Sequence, residues 1–127
     1  MKQIISTPKA PSAIGPYNQA TAFDKLIFTS GQIALDPTTM EIVQGGVKEQ
    51  TFQVMENLKA VLEQAGSSFE NVLKTTCYLS DMDNFVAFNE VYGQYFNAET
   101  APARSTVAVK TLPKNVLVEV DTIAFKN

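Results

Sequence analysis

Chemistry in this chain has to start from Arg104, Glu119 and Asp121, because there is no histidine and Cys77 is the only cysteine. A histidine general base, a histidine-led triad and a zinc cluster are therefore excluded. What remains is arginine, carboxylates, hydroxyls, amides and backbone groups. An arginine fork matches a flat, bidentate anion such as a carboxylate. Arg104 follows Pro102-Ala103 at the entrance of a β-prone segment, where a side chain can be held rigidly. The ordinary alternative is a surface or interface salt bridge. Glu119 and Asp121 share one face of the last apolar segment. A carboxylate there costs free energy unless it is paired or hydrogen-bonded. Either one could serve as a general base with a pKa lifted by burial, or both could face solvent; spacing does not choose between them.

Four other residues could contribute contacts. Asn89 lies in or beside an apolar helical stripe, so its amide either ties the helix to backbone or meets a ligand. Tyr17 follows Gly15-Pro16 in a loop that could present its ring and hydroxyl to a pocket, or simply anchor packing. Ser30 precedes Gly31 and has no activating histidine, so it reads as a hydrogen-bonding group and not a nucleophile. Cys77, in mid-strand among apolar residues, reads as an inert buried thiol. No Walker loop, dinucleotide fingerprint, EF-hand or metal-ligand cluster occurs, and Gly45-Gly46 reads as a turn.

The elements that must position these groups are legible from periodicity. At 127 residues with a net charge of −3, the chain is expected to form one domain spanning residues 1–127. The acidic balance and lack of a basic cluster argue against nucleic-acid binding. No apolar run is long enough to cross a bilayer, no signal-peptide pattern opens the chain, and a lone cysteine allows no intrachain disulfide framework, which together suit a cytoplasmic setting. Residues 7–17 carry three prolines and read as loop. Leu26–Ser30 reads as a strand interrupted at Gly31, where glycine marks a bulge or a close backbone approach.

Thr51, Val54, Met55, Leu58, Val61, Leu62 and Ala65 recur at helical spacing and predict a helix over Val47–Ala65, with Gly66 as its left-handed cap. Val72–Leu79 alternates as a strand, with Leu73, Thr75, Cys77 and Leu79 on one face. Ser80 or Asp81 can cap a second helix reaching about Asn97, with a stripe of Phe85, Phe88, Tyr92, Tyr95 and Phe96. Strands over Arg104–Thr111 and Val116–Phe125 follow, and Pro113-Lys114-Asn115 between them predicts a hairpin. Arg104, Thr106 and Ala108 share a face of the first. The sum is an α+β fold with two helices covering one face of a sheet. The last strand is apolar on both faces, so the face without helices is expected to pack against a second subunit.

Several motifs in order carry a family resemblance: Ala13-Ile14-Gly15-Pro16-Tyr17, Thr29-Ser30-Gly31-Gln32, Gln64-Ala65-Gly66, Val72-Leu73-Lys74-Thr75-Thr76, Pro102-Ala103-Arg104-Ser105 and Leu112-Pro113-Lys114. They resemble the Rid family, the reactive intermediate deaminases, closest to the RidA subgroup, over essentially the whole chain. The resemblance implies a chorismate-mutase-like mixed sheet in a homotrimer whose sheets face a central barrel-like core, with pockets between subunits. It implies hydrolysis of 2-imino acids or their enamine tautomers to 2-keto acids and ammonia, with no cofactor. Arg104 would grip the substrate carboxylate and Glu119 would activate water. Tyr17, Ser30, Gly31, Asn89 and Thr106 would line the pocket. Many relatives have cysteine where this chain has Thr106, so a thiol role at that position is excluded here. The competing function is a non-enzymatic regulatory module that binds 2-keto acids or a protein partner. A ribonuclease is disfavoured by the acidic balance and the missing histidine.

Overall fold

A computed structural model describes all 127 residues. Six strands form one mixed sheet: β1 (Gln3–Ile5), β2 (Ala20–Phe23), β3 (Leu26–Thr29), β4 (Val72–Leu79), β5 (Ala103–Ala108) and β6 (Val118–Phe125). Their order across the sheet is β1-β2-β3-β6-β4-β5. All neighbours are antiparallel except β4 and β5, which are parallel. The long helix α1 (Val47–Gln64) connects β3 to β4, and the short α2 (Phe85–Tyr92) connects β4 to β5.

α1 begins where Glu49 reaches back to accept a 2.8 Å hydrogen bond from the Gly46 backbone N–H. That contact satisfies a donor the helix leaves free. The helix stops at Gly66, whose φ of +82° suits glycine. Val54, Met55 and Leu58 of α1 pack with Phe88 and Tyr92 of α2 against Cys77, Leu79, Val118 and Val120 of the sheet. Both helices thus cover one face, as the apolar pattern predicts. Buried polar groups stitch this layer to its loops. The Asn57 amide donates to the carbonyls of Ile33 (3.1 Å) and Leu35 (2.9 Å), and Gln50 accepts from the Leu117 N–H.

Three expectations need correction. β5 and β6 do not form a hairpin, since β4 lies between them. β5 follows a helical crossover and so runs parallel to β4, and the Pro113–Asn115 turn carries the chain past β4 to reach β6. The second helix ends at Tyr92, with Gly93 as its cap, and a separate 3-10 turn at Met82–Asn84 precedes it. Asp81 caps that turn by accepting from the Asp83 N–H. Tyr95 and Phe96 still bury their rings edge-on against Phe69. Finally, the register of β4 against β6 shifts between Val72 and Lys74. This bulge turns Leu73 outward and gives its inward place to Val72, which is 3% exposed against 47% for Leu73.

Phe88 is fully buried at the joint between α2 and the sheet. Phe88→Ala should cost about 3–5 kcal/mol of stability, as large aromatic truncations do. Urea unfolding at fixed protein concentration measures it.

Candidate active site

β5 presents Arg104 and Thr106 on the helix-covered face, level with Thr75 and Cys77 of β4. The Arg104 guanidinium lies over the Tyr92 ring at 4.7 Å from its centre and beside the Phe85 ring at 5.5 Å. Its Nη1 donates to Asn89 Oδ1 at 2.6 Å. The Tyr92 hydroxyl is itself fixed 2.8 Å from Thr75 Oγ1. Ring and amide therefore hold the guanidinium plane, a cation–π and hydrogen-bond arrangement that fixes direction as well as position. The only salt bridge in the structure joins Lys48 to Glu90, so no carboxylate of the chain pairs with Arg104. A groove bounded by Asn89, Tyr92, Phe96, Ala101, Pro102 and Arg104 opens in front of it. Within one copy, Arg104 therefore makes no surface ion pair. Asn89 is exposed, not a buried amide, and its helix-facing alternative falls too. Thr106 Oγ1 is buried with no hydrogen-bond partner.

Glu119 is elsewhere. On β6, Val118, Val120, Thr122 and Ala124 are buried under the helices, and the alternate residues Glu119, Asp121, Ile123 and Phe125 occupy the opposite, uncovered face. Glu119 sits in a cleft with Ser12, Ile14, Tyr17, Gly31, Gln32 and Pro113. Gly31 leaves room there for the Glu119 carboxylate. A Cβ at that position would lie 2.6 Å from Glu119 Oε2, so the carboxylate rests against bare backbone. Burial, and then the Asp121 carboxylate nearby, push the Glu119 pKa above the usual glutamate value. Asp121 is raised by burial too, offset in part by the Tyr78 hydroxyl, which donates to Asp121 Oδ2 at 3.4 Å.

The structure thus brings the sequence-predicted residues together in two groups and separates the groups. Arg104, Asn89 and Thr106 share one face; Tyr17, Gly31 and Glu119 share a cleft on the other side. Ser30 donates its hydroxyl to the Asn18 carbonyl at 2.5 Å, anchoring the turn beside the cleft. Two contributors escaped the sequence reading. Tyr92 was legible only as a stripe residue, though its ring is the platform for Arg104. Gln19 is buried, accepts from the Thr7 N–H at 2.7 Å and donates to the carbonyls of Thr7, Ala10 and Pro11. It ties down the loop that walls the Glu119 cleft. An amide just after a proline-rich loop is the signal that would have pointed to it. Cys77 is fully buried, and desolvation pushes its pKa to about 11, in keeping with an inert thiol.

Comparisons with known proteins place this fold in a family. The family model described as Endoribonuclease L-PSP matches residues 7–126. A RutC family protein of Synechocystis is 57% identical over 96% of this chain and 95% of its own length. The mouse 2-iminobutanoate/2-iminopropanoate deaminase is 46% identical over 99% of this chain and 93% of its own. The crystal structure of Escherichia coli TdcF with bound serine superposes with a TM-score of 0.92 at 42% identity, covering 98% of this chain and 99% of that one. The chain belongs to this family, the Rid proteins, and has its α+β fold of a mixed sheet with two helices. Some of its near relatives carry the name of an imine deaminase.

Gly31→Ala should leave the fold intact and displace the Glu119 carboxylate. A crystal structure of the variant checks this, and an undisturbed Glu119 would contradict it. Cys77 should resist a thiol reagent such as Ellman's reagent in the native protein and react once the chain is denatured.

Proposed function

We propose that this chain hydrolyses 2-imino acids and their enamine tautomers, 2-aminoacrylate/2-iminopropanoate and 2-iminobutanoate, to 2-keto acids and ammonia. The observation that carries the proposal is the Arg104 guanidinium, held by Asn89 and Tyr92 with no carboxylate of its own chain. A substrate carboxylate supplies the missing partner, and the bidentate fit fixes the imine beside it. The protonated imine carbon is already electrophilic, so the reaction asks for orientation and a base and for no cofactor. Glu119 takes a proton from water as the oxygen attacks that carbon. Glu119 passes that proton to the carbinolamine nitrogen, then takes the hydroxyl proton as the C=O bond forms, the C–N bond breaks and ammonia leaves. Tyr17, Ser30, Gly31, Asn89 and Thr106 shape and line the pocket. The regulatory alternative, a binder of 2-keto acids, would use the same carboxylate grip without turnover.

One copy cannot do this alone, because Arg104 and Glu119 lie on opposite faces of its sheet. The site is therefore completed between copies. Support comes from the uncovered face, where Leu26 and Phe28 are 42% and 43% exposed beside half-buried Ile123 and Phe125. An apolar face of this kind asks for a partner. A closed homotrimer with heterologous interfaces places Arg104 of one copy beside the Glu119 cleft of the next.

Imine generated in place by an amino-acid oxidase, with the residue trapped by semicarbazide, tests the activity. Wild type should consume the imine. Arg104→Ala and Arg104→Lys should both fail, since a point charge does not reproduce the fork. Glu119→Gln should lose about 10²–10⁴-fold, the usual contribution of a positioned base. No consumption by correctly assembled wild type would instead favour the keto-acid binder. Co-assembly of Arg104→Ala with Glu119→Gln should restore about a quarter of wild-type activity, since each mixed trimer carries one intact site. No restoration in verified mixed assemblies would contradict sites shared between copies.

A further inference from the structure

We propose that Asp121 is a positioning residue that acts through Glu119, as a second negative charge on the same strand face that strengthens Glu119 as a proton acceptor. The inference rests on the function proposed above and deepens it. Asp121 touches neither the Arg104 groove nor the cleft that holds Glu119, yet it is half-buried on the uncovered face two residues along β6. A pleated strand sets such residues side by side, about 7 Å apart along the chain. At that spacing, with half of each group out of water, like charges resist ionising together.

The surroundings leave Asp121 as the charge that matters. Tyr78 of β4 is opposite Glu119 in register, but its hydroxyl points to Asp121 and supports the carboxylate form there. Lys74, the one cation on β4, is turned to Ser105 of β5 by a 2.9 Å hydrogen bond. The segment after β3 offers the uncharged Gly31 and Gln32, and the loops offer Ser12, Ile14, Tyr17 and Pro113, so no lysine or arginine of the chain lines the cleft. In the assembly, Arg104 of a neighbouring copy brings one positive charge, and the substrate carboxylate cancels it on binding. The negative charge of Asp121 then stands uncompensated beside Glu119. Burial and Asp121 both act in one direction on Glu119, holding more of it protonated at a given pH while making the carboxylate that remains a stronger base.

The sign of the effect on rate follows. Glu119 works as a base only when ionised, so activity falls as pH drops through its raised pKa. Removing the Asp121 charge lowers that pKa and moves the acid limb of kcat/KM to lower pH. Asp121→Asn should retain several-fold more of its own plateau activity than wild type at a pH below the wild-type midpoint, with a lower plateau. Asp121→Glu should restore the wild-type limb. High salt should draw the Asp121→Asn and wild-type limbs together only weakly, because the pair is half-buried. A carboxyl ¹³C titration of Glu119, labelled in wild type and Asp121→Asn, reads the same shift without turnover and at matched oligomeric state. An unchanged Glu119 titration, or an unchanged limb in the folded variant, overturns the role of Asp121. Glu119→Gln with full activity would instead overturn the function on which it rests. If Asp121→Asn does not assemble, the titration in wild type decides: a Glu119 midpoint at the ordinary glutamate value overturns the proposal.

Discussion

Along β6 the backbone pleat sends Val118, Val120, Thr122 and Ala124 under the helices and Glu119, Asp121, Ile123 and Phe125 away from them. This alternation is a fixed property of a strand, and the rest of the molecule follows from it. The inward residues, with Cys77 and Leu79 of β4, form the surface on which α1 and α2 pack. The outward residues leave two carboxylates and an apolar row uncovered. A one-residue slip would bury the carboxylates beneath the helices, so register is specified by burial itself.

The two functional groups owe their separation to the same rule. Arg104 shares its level with Thr75, which faces the helices, and Glu119 alternates with residues that do. Their side chains leave the sheet in opposite directions, whatever the sequence distance between them. Each is then fixed by unlike means. Arg104 is held by a ring and an amide from α2, a short helix ended by Gly93. Glu119 is held by the absence of a side chain at Gly31 and by a loop that Gln19 anchors. A guanidinium fixed without a carboxylate and a carboxylate fixed without a cation are complementary in charge, which is the basis of the proposed site between copies.

Stability and chemistry pull against each other at the uncovered face. Half-buried carboxylates with raised pKa values cost the folded chain free energy at neutral pH. That contribution is least unfavourable below the pKa of the unfolded state and worsens as pH rises through the folded value. A base that must accept a proton from water benefits from the same burial. The buried Asn57 amide, by contrast, is partnered on both its oxygen and its nitrogen and carries no such cost.

The α+β class, α1 and its glycine cap, the cores of β4 and β6, and the residue types from which a site could be made were all legible before any fold was known. These depend on local periodicity and on what arginine, glycine and carboxylate can do. The sequence pattern misplaced the partner of β5, because a turn between two β-prone segments looks the same whether they pair or are separated by a third strand. It overextended α2, because Tyr95 and Phe96 continue a helical stripe while packing from a turn. It put Leu73 inside, because a bulge breaks alternation without leaving a residue-type signal. Folding alone settled that Arg104 and Glu119 face opposite ways, that Tyr92 underlies Arg104, and that the Tyr78 hydroxyl of β4 reaches Asp121. Those are relations between strands, set by which strands become neighbours and in what register, and no single segment of the chain contains them.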